Sequence, residues 1–236
     1  MKTFQVSRTV ILSFALVLSG LAQASTWDLT NDWQPNNNPN GVWSYRAGNV
    51  DLPWIPSSGA YEPSTTPGNF LPIFLKGDGI NIPANVYIHP WDGANGGSNG
   101  MANALWTAPV ATTVNLSGAS WWSSLSVIGR SSEWLLLVNG GVISDGYIIA
   151  GDGHTAAAPY LFSQGSGGSA ALSGIHVDAG DTIELEILAT SQYGTFYGVN
   201  LNIQAVPEPS TFLILLPATL LPLLRRRRAI GDPEGN

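Results

Sequence analysis

The sequence predicts an all-β fold, an antiparallel β-sandwich of jelly-roll-like type, with an N-terminal signal peptide and one short C-terminal transmembrane helix added to it. Three observations predict the sandwich. The first is alternation: Thr182-Ile183-Glu184-Leu185-Glu186-Ile187 puts three aliphatic side chains on one face and both glutamates on the other. Val199-Asn200-Leu201-Asn202-Ile203-Gln204 repeats the pattern, as half-buried antiparallel strands do. The second is turn chemistry between apolar runs: Asn139-Gly140 separates Trp134–Val138 from Val142-Ile143, and a two-residue hairpin needs both central residues at positive φ. The third is composition. Charged residues are 11% of the chain, against roughly 25% in an ordinary soluble domain, and Gly, Pro, Asn, Ser and Thr take their place. No stretch shows helical periodicity of useful length.

Along the chain, residues 1–24 read as a signal peptide for secretion. Lys2 and Arg8 form a positive start, Val10 to Leu18 an apolar core, and Ala22-Gln23-Ala24 a small-x-small site for signal peptidase. The expected mature start is Ser25. The competing reading is an uncleaved anchor, disfavoured by the short apolar run.

Residues 25–205 read as one sandwich domain. Strands are expected around Trp43, Tyr87, Leu105, Val114, Leu125, Trp134, Val142, Leu161, Ile175, Ile183 and Leu201, nine to eleven in all. Asp51 to Pro83, rich in Pro, Gly and Ser, reads as a long loop or an insertion within the sheet. The Gly-rich stretches Gly93–Gly100 and Gly165–Gly168 read as flexible surface loops. Neither leads into Lys-Ser/Thr, so neither is a phosphate loop.

Residues 206–228 form a third segment. The apolar run Thr211–Leu224 is 14 residues long; as a helix it covers about 21 Å, short of a hydrocarbon core of about 30 Å. Pro217 and Pro222 interrupt it, and Arg225, Arg226, Arg227 and Arg228 stop it. The arginines would stay on the cytoplasmic side, with residues 229–236 as a short tail.

The order Val206-Pro207-Glu208-Pro209-Ser210, apolar run, Arg cluster resembles the PEP-CTERM sorting signal of Gram-negative bacteria. The resemblance implies transient residence in the inner membrane and processing by exosortase near the motif Pro207, Glu208, Pro209. It then implies a destination at the cell surface or in the extracellular matrix. The eight residues after Arg228 depart from the usual pattern, and a plain C-terminal anchor is the alternative. The body carries a second resemblance. Asn38-Pro39-Asn40-Gly41-Val42-Trp43-Ser44-Tyr45, His89-Pro90, Leu105-Trp106-Thr107-Ala108-Pro109, Val138-Asn139-Gly140 and Val177-Asp178-Ala179-Gly180-Asp181-Thr182-Ile183 follow one another. This succession is similar to the β-sandwich modules of bacterial surface and PEP-CTERM proteins, which look like carbohydrate-binding domains.

Charge excludes some functions. The net charge is −7, but six of nine basic residues lie in the end segments, leaving the body with Arg46, Lys76 and Arg130 against thirteen acids. Such a body repels nucleic acid. Cysteine is absent, which removes disulfides, thiolate metal sites and cysteine nucleophiles.

No catalytic set emerges. Glu184 and Glu186 lie about 7 Å apart along one strand face, where a solvent-facing pair is the plain reading. They cannot flank a sugar from opposite sides as a glycosidase pair must. His89, His154 and His176 show no metal-ligand spacing, and no G-x-S-x-G elbow occurs. Asp78, Asp92, Asp145 and Asp152 sit in Gly/Asn-rich turns of the kind that supply oxygen ligands to structural Ca2+. Trp43, Trp106 and Trp134 read as core. Trp54 and Trp91 fall in loops, and Trp121 and Trp122 are adjacent and so face opposite sides of a strand, with at least one expected at the surface. These four are the candidate glycan contacts. The expected function is an exported, non-catalytic surface or exopolysaccharide-matrix protein that binds glycan or adheres. The alternative is an extracellular polysaccharide hydrolase or lyase with carboxylates gathered from distant loops.

Overall fold

The structure is a computed structural model in which residues 24–66, 71–93, 101–123 and 129–207 are described. Fifteen strands form among these residues: β1 (Thr26–Asp28), β2 (Trp43–Ala47), β3 (Val50–Asp51), β4 (Trp54–Ile55), β5 (Ala60–Tyr61), β6 (Ile73–Lys76), β7 (Val86–His89), β8 (Ala102–Thr107), β9 (Thr112–Trp122), β10 (Ser131–Val138), β11 (Gly141–Ile149), β12 (Tyr160–Leu161), β13 (Ile175–Val177), β14 (Thr182–Ala189) and β15 (Tyr197–Ala205). A 3-10 turn (Phe162–Gln164) and one short helix, α1 (Gly168–Ala171), complete the elements.

The strands make two antiparallel sheets. The larger has nine strands in the order β12-β9-β15-β7-β6-β5-β4, with β1 beside β15 and β13 beside β9; the smaller has the order β11-β10-β14-β8-β2-β3. Alternating side chains explain why they face each other. Val114 and Leu116 of β9 and Val199, Leu201 and Ile203 of β15 point inward from the larger sheet; Ala104 and Trp106 of β8, Leu136 of β10 and Ile183, Leu185 and Ile187 of β14 meet them from the smaller. Aromatic pairs cross between the sheets: Trp27 lies 4.9 Å from Trp106, and Tyr45 stacks on Tyr61 at 4.8 Å. Trp43, Trp106 and Trp134 are core residues with almost no exposure.

The Asn139-Gly140 hairpin forms as the residue types require. Asn139 has φ 49° and Gly140 φ 78°, joining β10 to β11, and Asn139 Oδ1 accepts the Thr182 N–H at 2.8 Å. The outer edge of β11 is blunted: Ser166 exchanges hydrogen bonds with the Asp145 backbone, donating its N–H to the carbonyl at 2.9 Å and accepting the Asp145 N–H on Oγ at 3.1 Å. An edge closed in this way resists pairing with another chain.

Of the two readings of Asp51–Pro83, the insertion in the sheet fits: the segment contains β4, β5 and β6, which extend the larger sheet. Two expectations need correction. Gly165–Gly168 is not a loose surface loop. A Cβ on Gly165 would lie 2.3 Å from Trp134 Cη2 and 2.6 Å from the Asp145 carbonyl, so its glycine is there for close approach. The strands are also more numerous and shorter than periodicity suggests. The strand expected at Leu125 lies outside the described residues. So do Ala22, Glu208, Pro209, Arg225–Arg228 and the expected transmembrane run, while Ala24 and Pro207 are the first and last residues described. Among the described residues no helix is long and apolar enough to cross a membrane. The two ends of the body meet: β1 pairs with the end of β15, and Ala205 N–H bonds the Ser25 carbonyl at 2.8 Å.

Candidate functional site

The outward faces of the two sheets differ. On the larger sheet, three depressions of about 280, 290 and 360 Å3 adjoin one another. The first two share Pro83, Tyr87 and Ser123, and the last two share Trp121 and Ala156, which makes one groove across the strands. Its floor is built by register. Tyr87 of β7 and Trp121 of β9 stand on either side of Gly198 of β15. The Trp121 indole lies across that glycine, where a Cβ would come within 2.1 Å of Trp121 Cε2. The walls are Ile82-Pro83 on one side and Ala156 to Leu161 on the other, with Phe196 near one end.

Among the described residues, no charged residue lines this groove. Its polar groups are Asn81, Asn85, Asn200, Ser123 and Thr155, together with the tyrosine. Asn81 is already tied to Asp78 through its Nδ2 at 2.8 Å. Asn200 is not saturated: its Oδ1 is buried and accepts no hydrogen bond. An orphaned buried acceptor costs on the order of 1–3 kcal/mol, which is recovered if the side chain turns into the groove and meets a hydroxyl or amide donor there.

His89 lies under the Phe196 end. Its ring meets Phe196 edge-on at 5.1 Å, and Nδ1–H donates to the Pro90 carbonyl at 2.7 Å. Burial holds its pKa below the ordinary imidazole value, opposed by that hydrogen bond and by Asp92. His154 stacks on Tyr160 at 4.6 Å, and His176 is an exposed partner of Asp178. The three histidines are therefore in three different places.

The four candidate tryptophans do not form a platform. Trp121 and Trp122 face opposite sides as expected, but neither is exposed: they keep 6% and 3% of their surface. Trp122 points into the core, edge-on to Tyr197 at 5.4 Å. Trp121 is covered by the loop through Ala156 and by the strand beneath it, so it floors the groove rather than presenting a free face. Trp54 is half-buried against Tyr61 at 5.0 Å in the edge strand β4. Trp91 is half-buried, and its Nε1–H is without an acceptor. The groove residues that sequence reading missed are Tyr87, Asn85, Phe196 and Asn200. Alternation marks Tyr87 and Asn200 as outward-facing, but nothing local brings four separate segments together.

The loop aspartates are not gathered. Asp78 accepts the backbone N–H groups of Ile80, Asn81 and Ile82, which hold its carboxyl far below the usual range. Asp152 caps Ile149 and His154, Asp145 accepts from Ser166, and Asp92 accepts the Gly194 N–H at 2.7 Å. Asp78 and Asp152 close their own turns, whereas Asp145, on β11, and Asp92 tie distant segments together. Among the described residues no three His, Asp or Glu side chains come together as a metal cluster.

On the smaller sheet, the glutamate pair departs from the plain solvent-facing reading. Glu184 is half-buried, and Glu186 retains only 8% exposure. Both lie on β14, a central strand, and Leu135 of β10 and Asn103 of β8 stand directly across from Glu186. Burial first, and then the Glu184 charge, push the Glu186 carboxyl up to about 7.

Comparison with known proteins finds no family model that matches the chain and no curated protein similar to it.

Proposed function

We propose that this chain is an exported, non-catalytic protein of the cell surface or exopolysaccharide matrix whose jelly-roll-like body binds glycan in the groove of its larger sheet. After β7 the chain crosses repeatedly between the sheets, with β8, β10, β11 and β14 in the smaller and β9, β12, β13 and β15 in the larger, which supports the jelly-roll reading. The observation that carries the binding reading is the groove itself, apolar and aromatic in its floor, uncharged among the described residues, with the orphaned Asn200 Oδ1 on the floor strand β15. Aromatic rings contact the C–H faces of sugars, and a few fixed polar groups orient a ligand in an otherwise apolar cleft. The signal-peptide pattern and the Pro207-Glu208-Pro209 motif support export and sorting by signal peptidase and exosortase.

Polysaccharide retention tests the reading. The full-length protein in mild detergent is applied to neutral and acidic polysaccharides, and both retention and new reducing ends are measured. Retention of a neutral glycan, weakened at least tenfold by Asn200→Ala with the melting temperature kept within a few degrees, is expected. Retention unaffected by Asn200→Ala and by Tyr87→Ala would place binding elsewhere. Release of reducing ends would replace this reading with the hydrolase or lyase one. The Glu184–Glu186 pair does not favour that alternative, because it lies on the opposite face of the sandwich from the groove.

A further inference from the structure

We infer that the groove of the larger sheet selects acetylated neutral glycans over unsubstituted ones. This rests on the glycan reading of the groove and names the sugar chemistry it takes. A bare sugar ring carries hydroxyls around its edge, and each one that leaves water must find a partner in the protein or lose its hydration. The Phe196 end of the groove is poor in such partners. Of the residues lining the depression there, Asn81, Tyr87 and Ser123 carry polar side chains. Asn81 Nδ2 donates to Asp78 Oδ2 at 2.8 Å, and Ser123 Oγ donates to the Phe196 carbonyl. The rest of the lining is Leu75, Ile82, Pro83 and Phe196. Asn85 and Asn200 line the other end.

The wall beside this depression belongs to the loop between β6 and β7. It leaves Ile80 with 89% and Ile82 with 45% of their surface exposed. Asp78 Oδ1 accepts the N–H groups of Ile80, Asn81 and Ile82 at 2.8–3.0 Å, so the loop holds its shape while presenting two isoleucines to water. The opposite wall, from Ala156 to Leu161, is also largely apolar, and Leu161 is 44% exposed. Single exposed aliphatic residues are ordinary, but Ile82 and Leu161 stand on the two sides of one groove. An acetyl group suits these walls. It replaces a sugar hydroxyl that would need a partner, and it adds a methyl that gains by leaving water. It also brings a carbonyl that can accept from the Tyr87 O–H. It keeps the glycan neutral, in accord with a groove that no charged residue lines among those described.

The test compares ligands that differ in acetylation. The full-length protein is held in lipid nanodiscs, so that no detergent competes for an apolar groove, and binding is measured by calorimetry. One pair is the fully N-acetylated chitin tetrasaccharide and the cellulose tetrasaccharide, which has a hydroxyl in place of each acetamido group. The other is O-acetylated glucomannan before and after mild alkali. The acetylated member should bind at least tenfold more tightly in at least one pair. Ile82→Asn and Tyr87→Phe should each reduce that ratio. Because the ratio compares two ligands on the same folded protein, a loss of fold cannot mimic its change. Unsubstituted members bound as tightly as acetylated ones in both pairs would overturn the inference. So would retention confined to an unsubstituted polysaccharide, or a preference that survives both substitutions. Those results would leave the glycan reading standing, whereas failure to retain any polysaccharide in either form would remove both.

Discussion

Replacing Gly198 by alanine is the sharpest probe of how the groove floor is built. Gly198 stands directly opposite Trp121 in the β15–β9 pairing. The added methyl would lie 2.1–2.4 Å from Cε2, Nε1 and Cζ2 of the indole, well inside van der Waals contact. A neighbouring side-chain tip can yield by a few tenths of an ångström, but here three ring atoms are struck at once and the ring is nearly buried. The indole must tilt off the strand. Overpacking of this kind costs about 1–3 kcal/mol, and for a body of this size each kcal/mol lowers the melting temperature by about 2–4 °C. Taking the middle of that range, about 2 kcal/mol, thermal denaturation of Gly198→Ala should show a fall of about 4–8 °C, with a shift in tryptophan emission. The decisive comparison is a double-mutant cycle. Trp121→Ala alone should cost about 3–5 kcal/mol. With the ring gone, Gly198→Ala should cost almost nothing, which gives a coupling of about 2 kcal/mol. Additive losses would show that Trp121 does not rest on Gly198, and the reasoning about the groove floor would fail with it.

Two further outcomes follow from the geometry. The His89 pKa is lowered in the fold, chiefly by burial, so the unfolded chain binds more protons on acidification. This contribution should be intact above the ordinary imidazole value and lost as pH falls below it. Denaturant melts from pH 8 to 5 should show that loss in the wild type and not in His89→Gln, and an equal slope in both would refute it. At the β10–β11 turn, Asn139→Ala loses the bond to the Thr182 N–H and puts a Cβ-bearing residue without local hydrogen bonding at φ 49°. It should cost about 1–2 kcal/mol, and Asn139→Gly should recover the backbone share; equal losses in urea melts would contradict this.

Much of the core was legible because it depends on local pattern. Ile183, Leu185 and Ile187 alternate with glutamates, and they line the interior. Asn139-Gly140 carries the backbone requirement of its turn in its own residue types. Trp43, Trp106 and Trp134 sit in apolar runs and pack as those runs suggest. Alternation also puts Trp121 and Trp122 on opposite faces correctly. It does not tell how well each face is covered. Trp121 lies on the outward face and is still buried, because residues from the 155–161 segment and Gly198 enclose it.

The sequence by itself determined the all-β class, the inward set of aliphatic residues, the principal hairpin and the acidity of the body, since each follows from periodicity, turn stereochemistry or composition along a short stretch. Only the tertiary structure decided the groove and the environment of Glu186. Pro83, Tyr87, Trp121, Ala156 and Asn200 come from distant segments that meet through strand pairing. Glu186 is desolvated by Leu135 and Asn103, residues 51 and 83 positions away in the chain. A side chain's face is a local property of the strand that carries it, whereas its access to water depends on whatever the rest of the chain lays beside it.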